Sequence, residues 1–390
     1  MQKLDGTRVV IVTHRSLMPD IPGGDLKKFM LKTGVSELIY ITHPLLLLKE
    51  SYKLSSQIEY FENSQLKKNL KAYHFILPES FSYIKDFIYT IYWVFMKNRT
   101  FDLYFGINNM NALAGLILKK AGRVKKVVYY TIDLYPERFS NKFLNFIYHE
   151  IDKICVSFCD ETWNVSPYIS RWRARRWEKK RSSKEFTVPI GIWFDEIKRV
   201  PAKKVNLSKI VYVGHLKNFY GVELIIRALP LIRKRIPNVK LNIIGGGEQL
   251  KELQQLMNIL LVKDNINFLG WKEKKLSEKL MADSALGFAP FNTAIIDEKI
   301  KNSDPAKIKD YLALGIPVVM TNATVNAKAI SKAKCGIIIE YSPEALANTV
   351  LMFLTNRTLL IRYRQNALRY VNQFDWNKLF STNLSRLLKL

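Results

Sequence analysis

The stretch Ser303–Asn322 reads SDPAKIKDYLALGIPVVMTN and joins a charged helical segment to an apolar strand. Gly315 followed by Pro317 is typical of a helix stop, because glycine accepts the left-handed conformation and proline cannot continue the helix. The apolar run Val318–Met320 then predicts a buried strand. A helix that leads directly into a buried strand indicates an α/β fold.

Lys307 and Asp310 share one side of this predicted helix with Leu314, because they are spaced by three and four residues. A cation at Lys307 suits a phosphate, and the carboxylate of Asp310 suits a ribose hydroxyl. Free N–H groups at the helix start, from Ser303 onward, would add to phosphate binding. The same residues also fit an ordinary αβ connection with a solvated charged side, so the residues alone leave both interpretations open.

Length and composition describe a large folded chain. The 390 residues predict two domains. Hydrophobic residues make up 48% and aromatic residues 12%, which is typical of globular proteins and argues against disorder. Cys155, Cys159 and Cys335 are too few for a disulfide framework, and no His or Cys pair completes a zinc site. We interpret them as thiols in a reducing compartment.

The net charge of +27 predicts an anionic partner: nucleic acid, an anionic membrane or a phosphorylated substrate. Met1–Thr7 is polar and Arg8–Thr13 predicts a strand, so no signal peptide is expected. The most apolar helix candidate, Phe87–Met96, is too short to span a bilayer. We therefore expect a cytoplasmic protein that is peripheral to the inner face of the membrane.

Strands and helices alternate in the first half, which predicts a doubly wound parallel sheet. The strand candidates are Arg8–His14, Leu38–Thr42, His74–Leu77, Leu103–Gly106 and Lys126–Thr131. Ligands of such sheets bind beyond the carboxyl ends of the strands. The polar residues predicted at those ends are His14, His43, Asn108 and Asp133. A long helix is expected from Asn141 to Ile169.

Two glycine-rich turns follow predicted strands. Gly23 and Gly24 come after the first strand and open a helix, where glycine lets a ligand approach the backbone, although a plain turn has the same composition. In the second half, Val239–Ile244 leads into a turn that contains Gly246. This turn does not match the dinucleotide-binding fingerprint, and no acidic residue is spaced for a dinucleotide ribose, which argues against an NAD site.

The pattern Asp-Pro-x-Lys-x-x-Asp-Tyr-Leu-Ala-x-Gly-x-Pro-Val-Val at 304–319 resembles the donor-site helix of family 4 glycosyltransferases, which have the glycosyltransferase-B fold. Thr187–Asp195 resembles the approach to the interdomain linker of that family, and Phe374–Trp376 resembles its C-terminal crossover. The resemblance implies two Rossmann-like domains that face each other across a cleft. It places them at residues 1–197 and 198–373, with a helix at 374–390 returning to the first domain.

The resemblance also implies a site for a nucleotide-sugar donor. The residues that it assigns to the donor are Gly23, Gly24, Gly214, His215, Lys217, Gly246, Trp271, Ser303, Lys307 and Asp310. His215 stands where the family has a diphosphate-binding Arg, and Tyr220 stands where it has a Lys. A His in place of a permanent cation weakens diphosphate binding near neutral pH, so Lys217 is expected to supply charge.

Two positions are candidates for the chemistry of transfer. Many family members have a His that contacts the donor sugar where this chain has Ile132, and we expect the next residue, Asp133, to take that polar role. Asp133 also fits a plain turn cap. The donor helix of the family carries two acidic residues, and this chain has Asn302 at the position of the first. An amide still hydrogen-bonds a sugar hydroxyl but cannot stabilise developing positive charge.

The segment Arg171–Lys184 carries eight basic residues against one acidic residue, with two tryptophans among them. Tryptophan at the headgroup level and cations over anionic lipid are typical of an interfacial segment. Stacking on nucleic acid and a solvated charged surface are the alternatives. The residues expected to face the membrane are Arg171, Trp172, Arg173, Arg175, Arg176 and Trp177.

The resemblance implies a retaining glycosyltransferase that transfers a sugar from a nucleotide-sugar to a glycan or polyprenyl-linked acceptor. No Asp-x-Asp motif is present to hold a metal-bound diphosphate, so no metal and no other cofactor is expected. The first alternative is a catalytically impaired protein of the same fold that acts as a binding partner. The second is a nucleic-acid-binding protein, which only the charge favours, so no nucleic-acid partner is expected.

Overall fold

The computed structural model describes residues 4–15, 22–45, 54–73, 75, 77–178, 182–296, 298–301 and 303–389. The chain divides into two compact units, which are described separately below. Unit 1 contains Met1–Ile190 and Trp376–Leu390, and unit 2 contains Gly191–Asp375. The division falls somewhat before the boundary expected after residue 197, and the C-terminal segment is part of unit 1.

Unit 1 is built on an eight-stranded sheet. Its strands are β1 (Arg8–Arg15), β2 (Glu37–Pro44), β3 (Gln57–Glu62), β4 (Gln65–Lys71), β5 (Phe101–Ile107), β6 (Val124–Thr131), β7 (Glu161–Asn164) and β8 (Glu185–Thr187). They lie in the order β4-β3-β2-β1-β5-β6-β7-β8. The pairs β2–β3 and β3–β4 are antiparallel and the other pairs are parallel. Val9–Val12 of central β1 is fully buried, as the predicted apolar strand requires.

Helices cover the sheet of unit 1. They are α1 (Gly23–Thr33), α2 (Glu79–Phe95), α3 (Asn109–Lys120), α4 (Lys142–Phe158), α5 (Pro167–Arg176) and the C-terminal helix α14 (Trp376–Leu388). Helix α3 packs against both α2 and α4, and α14 packs against α1. No helix within the described ranges is long and apolar enough to cross a bilayer.

Two predictions for unit 1 fail. The helix expected over Asn141–Ile169 is interrupted by β7, whose polar end residues have side-chain partners: Glu161 accepts from Arg386 at 2.7 Å and Asn164 donates to Ser170 at 3.0 Å. The strand expected at His74–Leu77 falls partly on residues outside the described ranges, and Phe75 and Leu77 lie in no strand. The hairpin β3–β4, which the sequence interpretation missed, extends the edge of the sheet instead.

Unit 2 contains a six-stranded sheet in which every pair is parallel. Its strands are β9 (Asn206–Val213), β10 (Lys240–Ile244), β11 (Ile266–Gly270), β12 (Ser284–Ala289), β13 (Val318–Met320) and β14 (Gly336–Ile338). The order β11-β10-β9-β12-β13-β14 is the Rossmann order, which reverses direction between β9 and β12. Ligands of this fold bind at that reversal, beyond the carboxyl ends of the strands.

The helices of unit 2 connect these strands. They are α6 (Val222–Arg233), α7 (Leu250–Ile259), α8 (Lys274–Met281), α9 (Glu298–Lys301), α10 (Ala306–Ala313), α11 (Ala327–Lys332), α12 (Pro343–Thr355) and α13 (Arg357–Val371). The helix stop predicted at Gly315 is confirmed, since this glycine has φ 71° just after α10. Strand β13 has the predicted bounds.

Candidate functional site

Two glycine loops, which follow β9 and β10, lie beside the reversal point between β9 and β12. Gly214 ends β9, and its N–H donates to the carbonyl of Ile244 at 2.9 Å, at the end of β10. Leu216 N–H donates to the carbonyl of Gly246 at 3.0 Å, so the two loops run side by side. Gly245 has φ 146°, and a Cβ there would overlap the carbonyl oxygen of Gly214. Only glycine therefore permits this approach of the two loops.

Lys307, in the first turn of α10, places its ammonium group beside these loops. The Nζ atom lies 4.5 Å from the ring centre of Tyr212, 4.7 Å from that of Tyr220 and 4.8 Å from that of Phe291. A Cβ built on Gly214 would be 3.7 Å from the same Nζ atom. The cation is thus enclosed by three aromatic rings at the loop where a ligand of this fold would bind.

The charge of Lys307 is set by this enclosure. Burial lowers the pKa of the Lys307 ammonium group to about 7, while the aromatic rings favour its charged form. Among the described residues, no carboxylate forms an ion pair with it. A cation that titrates near neutral pH and lacks a carboxylate partner there is suited to an incoming anion.

His215, Lys217 and Trp271 line the same loops. The His215 ring stands edge-on to Trp271 with 4.7 Å between ring centres, and a Cβ on Gly246 would lie 2.8 Å from the indole nitrogen of Trp271. Desolvation, then the charges of Lys217 and Lys307, lower the pKa of His215. His215 is therefore a neutral hydrogen-bonding group at pH 7, and the two lysines supply the positive charge.

Asp310 lies one turn beyond Lys307 on α10, as predicted. Its carboxylate is 3.6 Å from Nζ of Lys274, on α8, which the sequence interpretation did not single out. The Ser303 hydroxyl donates to the carbonyl of Ile300 at 2.8 Å. The predicted residue Asn302 lies outside the described residues.

Helix α10 is held from its other side by a buried ion pair. Lys309 is almost fully buried and pairs with Asp304, whose second oxygen accepts from Asn326 at 3.0 Å. Because Lys309 points inward, Lys307 and Asp310 are left on the side that faces the loops and α8. This arrangement agrees with the prediction that Lys307 and Asp310 lie on the same side of the helix.

Unit 1 contains a cavity of about 360 Å³. It lies at the reversal of strand order between β1 and β5, which is the corresponding ligand position in this sheet. Its lining residues are Thr13, His14, Leu45, Ser80, Tyr83, Ile84, Ile107, Asn108, Asn109, Met110, Ile132, Asp133, Tyr135, Arg138, Phe139, Leu144, Ile147, Tyr148 and Ile151. The cavity thus has apolar walls and a polar end at the strand ends.

The polar end brings together three of the residues predicted at strand ends. Asp133 is exposed, and its carboxylate accepts from the Tyr135 hydroxyl at 3.4 Å. Asn108 has φ 73°, an uncommon conformation that asparagine tolerates better than most residues. Helix α4 is capped by Asn141.

His14 is kept neutral at this end of the cavity. Burial, then the neighbouring His43, lower its pKa to about 4. Its Nδ1 is 3.3 Å from the amide nitrogen of Asn111, which acts as the donor, so the ring proton is assigned to Nε2. His43 lies deeper, between the hydroxyls of Ser56 at 2.9 Å and Thr90 at 2.7 Å.

Arg138 is a cavity residue that the sequence interpretation missed. Its guanidinium donates to the Tyr83 hydroxyl at 2.7 Å and also pairs with Glu79. The partners lie on α2, far away in the sequence, and nothing in the local pattern around Arg138 indicated them. Gly23 and Gly24 open α1, also in unit 1, whereas the other residues assigned to the donor lie in unit 2.

One predicted membrane-facing residue is wrong. Arg173 is fully buried in unit 1, where its guanidinium donates to Asp152 at 2.6 Å and pairs with Glu185 at 3.3 Å. A guanidinium needs such carboxylates when it is removed from water. The side chains of Arg171, Arg175 and Arg176 are exposed, and the two tryptophans, Trp172 and Trp177, are partly buried.

No group of three or more His, Cys, Asp or Glu residues that could hold a metal ion occurs in the described ranges. The site residues of unit 2 are cations, glycines and aromatic rings, with one carboxylate. This set is suited to a phosphate-bearing ligand rather than to a metal.

Comparisons with known proteins agree with this geometry. Residues 194–370, nearly all of unit 2, match the family of glycosyl transferases group 1. The chain is 25% identical over 206 residues to a GDP-mannose-dependent alpha-(1-6)-phosphatidylinositol monomannoside mannosyltransferase of Mycobacterium tuberculosis. That match covers 49% of this chain and 52% of the relative, so the chain spans about half the length of this curated relative.

Solved structures show the fold of the whole chain. The Anabaena protein Alr3699/HepE in complex with UDP superposes with a TM-score of 0.68 at 16% identity, over 98% of this chain and 100% of that one. Sucrose-phosphate synthase from Thermosynechococcus elongatus superposes with a TM-score of 0.68 at 14% identity, over 98% of this chain and 99% of that one. The predicted glycosyltransferase-B fold of two Rossmann-like units is confirmed. The family match is confined to unit 2, which resembles the group 1 glycosyl transferases.

Proposed function

We propose that this protein is a retaining glycosyltransferase that moves a sugar from a nucleotide-sugar donor to a glycan or lipid-linked acceptor in cell-surface polysaccharide or glycolipid synthesis. The observation that carries the proposal is Lys307, a cation without a carboxylate partner among the described residues, held against the glycine loops at the reversal point of unit 2. The family match and the relatives named above support it.

In this proposal unit 2 binds the donor. Lys307 and Lys217 neutralise the diphosphate, and N–H groups of the glycine loops other than those of Gly214, Gly245 and Leu216, which donate to carbonyl groups of the chain, hydrogen-bond its oxygens. His215 adds a neutral hydrogen bond. Asp310 accepts from the ribose hydroxyls, with Lys274 holding its carboxylate in place. Charge from the chain itself takes the place of a metal ion, so the proposed reaction needs no metal.

Unit 1 is assigned the acceptor and the transferring sugar. Asp133 is proposed to contact that sugar from the polar end of the cavity, and Asn302 is proposed to hydrogen-bond a sugar hydroxyl of the donor. The free thiols of Cys155, Cys159 and Cys335 suit a reducing compartment. We therefore place the reaction on the cytoplasmic side of a membrane.

The test of donor binding is calorimetry with UDP, GDP and their sugar conjugates. Replacing Asp310 by Ala should weaken nucleotide binding by about 1–3 kcal/mol, the range for a lost charged hydrogen bond. Asp264→Ala removes an exposed carboxylate elsewhere in unit 2 and serves as the matched control. Equal nucleotide affinities of the two variants would show that Asp310 is not part of the donor site.

Transfer is tested separately, by mass spectrometry of products from a panel of donors and acceptors and by NMR of the anomeric centre. Asp133→Asn should lower turnover while nucleotide affinity stays unchanged, because Asp133 belongs to unit 1. A protein that binds nucleotide but yields no product from any pair would instead be the binding partner of the first alternative. An inverted anomeric centre would exclude the retaining mechanism.

We also propose that unit 1 docks on an anionic membrane through the exposed cations Arg171, Arg175, Arg176 and Lys184. Each cation near anionic lipid contributes about 1 kcal/mol, and the contribution decays with salt. Co-sedimentation with anionic vesicles should fall when Arg171, Arg175 and Arg176 are changed to Ser. The control changes three exposed cations of unit 2, Lys203, Lys204 and Lys251, to Ser. Binding that ignores salt, or that both triple variants lose equally, would exclude this segment as the anchor.

A further inference from the structure

Helix α2 of unit 1 presents an apolar stripe to solvent. Phe81, Ile84, Ile88, Tyr92 and Phe95 follow one another at spacings of three and four residues, and each is between 37% and 61% exposed. Such spacing places them on one side of the helix. An exposed stripe of large apolar side chains is costly in water and marks a surface that binds another apolar body.

Helix α4 carries a second set of exposed apolar side chains, and α3 packs against both helices. The members of this set are Phe143, Phe146, Ile147, Ile154 and Phe158. The two sets together are called the α2–α4 apolar face below. The face lies on one layer of helices in unit 1.

The cavity of unit 1 opens on this face. Ile84 and Ile147 belong both to the exposed sets and to the cavity lining, so they form its mouth. Leu144 and Ile151 continue the apolar wall, and the polar end at the strand ends includes the exposed Asp133. The volume of about 360 Å³ is within the range of small-molecule sites. An apolar wall and a polar end suit an amphipathic ligand.

Basic residues border the α2–α4 apolar face. A small depression is lined by Phe146, Glu150 and Lys153 of α4 together with Arg176, Trp177 and Glu178, so the basic end of α5 adjoins the face. Lys142, at the start of α4, is exposed beside Phe143. Large apolar side chains flanked by cations match an anionic bilayer, whose headgroups meet the cations while its hydrocarbon meets the rings.

We infer that the unit 1 cavity binds the hydrocarbon chain of a lipid-linked acceptor, which passes from an anionic bilayer across the α2–α4 apolar face between Ile84 and Ile147. The hydroxyl-bearing head group then lies at the polar end, near Asp133 and His14. This inference rests on the proposed function and specifies its acceptor as a lipid. A water-soluble glycan acceptor would leave the apolar part of the cavity without a ligand group.

The test measures binding of n-alkyl glucosides of increasing chain length, from butyl to decyl, each below its micelle-forming concentration. Affinity should rise about fourfold for each added methylene until the cavity is filled, because each methylene leaves water. In the double variant Ile84→Ser with Ile147→Ser, affinity should depend much less on chain length. The matched control, Ile88→Ser with Ile154→Ser, removes equal apolar surface outside the cavity lining and should keep it.

A second variant keeps the experiment decisive if the first is unstable. Ile147→Trp retains apolar surface but narrows the mouth, so the rise in affinity should stop at a shorter chain. Affinity that is independent of chain length in the wild type, or that both double variants reduce alike, would overturn the inference. Nucleotide binding is measured on the same samples, so a failed donor site and a failed lipid site give different results.

Discussion

The residues around the Lys307 ammonium group determine its pKa. Its pKa of about 7 in the unliganded protein follows from burial among Tyr212, Tyr220 and Phe291. A bound diphosphate favours the charged form and therefore raises that pKa. Above pH 7, nucleotide binding should be accompanied by proton uptake, and affinity should fall as the pH rises from about 7 to 9.

Calorimetry at about pH 8 in two buffers of different ionisation enthalpy measures this uptake. The wild type should give different apparent enthalpies, and Lys307→Met should bind weakly with no buffer dependence. Lys263→Met, which removes an exposed cation elsewhere in unit 2, should behave like the wild type. Identical enthalpies of the wild type in both buffers would show that Lys307 does not change its protonation when the nucleotide binds.

The sequence predicted the chemical type of the site residues better than their surroundings. Lys307 and Asp310 were found because helical spacing is local information. Arg173 was misplaced because the basic run was interpreted as one exposed segment, although Ile169 and Arg173 are one helical turn apart and both face inward. The carboxylates that stabilise Arg173 lie on α4 and β8, and no local pattern connects them with it.

At the scale of elements, the paired glycine loops of unit 2 give a stability prediction. In Gly245→Ala, the new Cβ would overlap the carbonyl oxygen of Gly214 at a φ that side-chain-bearing residues avoid. We expect a loss of more than about 2 kcal/mol, from backbone strain together with overpacking. Nucleotide affinity should fall as well, because the loops after β9 and β10 would separate.

Gly270→Ala is the matched control for this variant. Gly270 ends β11 in the same sheet and has φ 68°, but a Cβ there meets no atom within 4 Å. Gly270→Ala should lower the free energy of unfolding only through backbone strain, by about 1–2 kcal/mol, and should retain nucleotide affinity. Denaturant titration measures both losses. Equal destabilisation by the two variants would contradict the steric explanation.

The elements themselves were predictable where their signals are local. Helix α10 and strand β13 follow from the glycine and proline that separate them. Strand β7 was missed because it is short and ends in polar residues, and its strand conformation depends on neighbours that are distant in sequence. Trp163 at its centre is fully buried against Phe105 and Tyr130, a contact that only the assembled sheet provides.

At the scale of the molecule, the chain leaves unit 1 and later returns to it. The predicted boundary after residue 197 is later than the observed one because Ile192 N–H donates to the carbonyl of Phe374 at 2.9 Å and Phe194 N–H donates to Asp375 at 3.0 Å. These partners belong to the far end of unit 2, so no local composition change marks the division.

Helix α14 couples the C-terminus to the core of unit 1. The Phe380 ring is fully buried, stacks on Trp376 with 4.6 Å between ring centres, and lies 5.3 Å from Phe29 of α1. Arg386 of the same helix pairs with Glu161 of β7. Phe380→Ala should therefore destabilise unit 1 by about 3–5 kcal/mol, the usual cost of removing a buried Phe ring.

Hydrogen exchange resolved by peptide mass spectrometry locates that loss. Phe380→Ala should increase exchange in α1, β1 and β7, while β9 and β10 keep the protection of the wild type. The control is Phe353→Ala in α12, which removes an equally buried ring from the core of unit 2 and should increase exchange in the opposite set. Phe380 lies shortly after the end of unit 2 in the sequence. If Phe380→Ala affected the elements that are nearest in sequence, the increased exchange would appear in α13 instead. Deprotection of α13 and β9 by Phe380→Ala, with β1 unchanged, would therefore contradict the assignment of α14 to the core of unit 1.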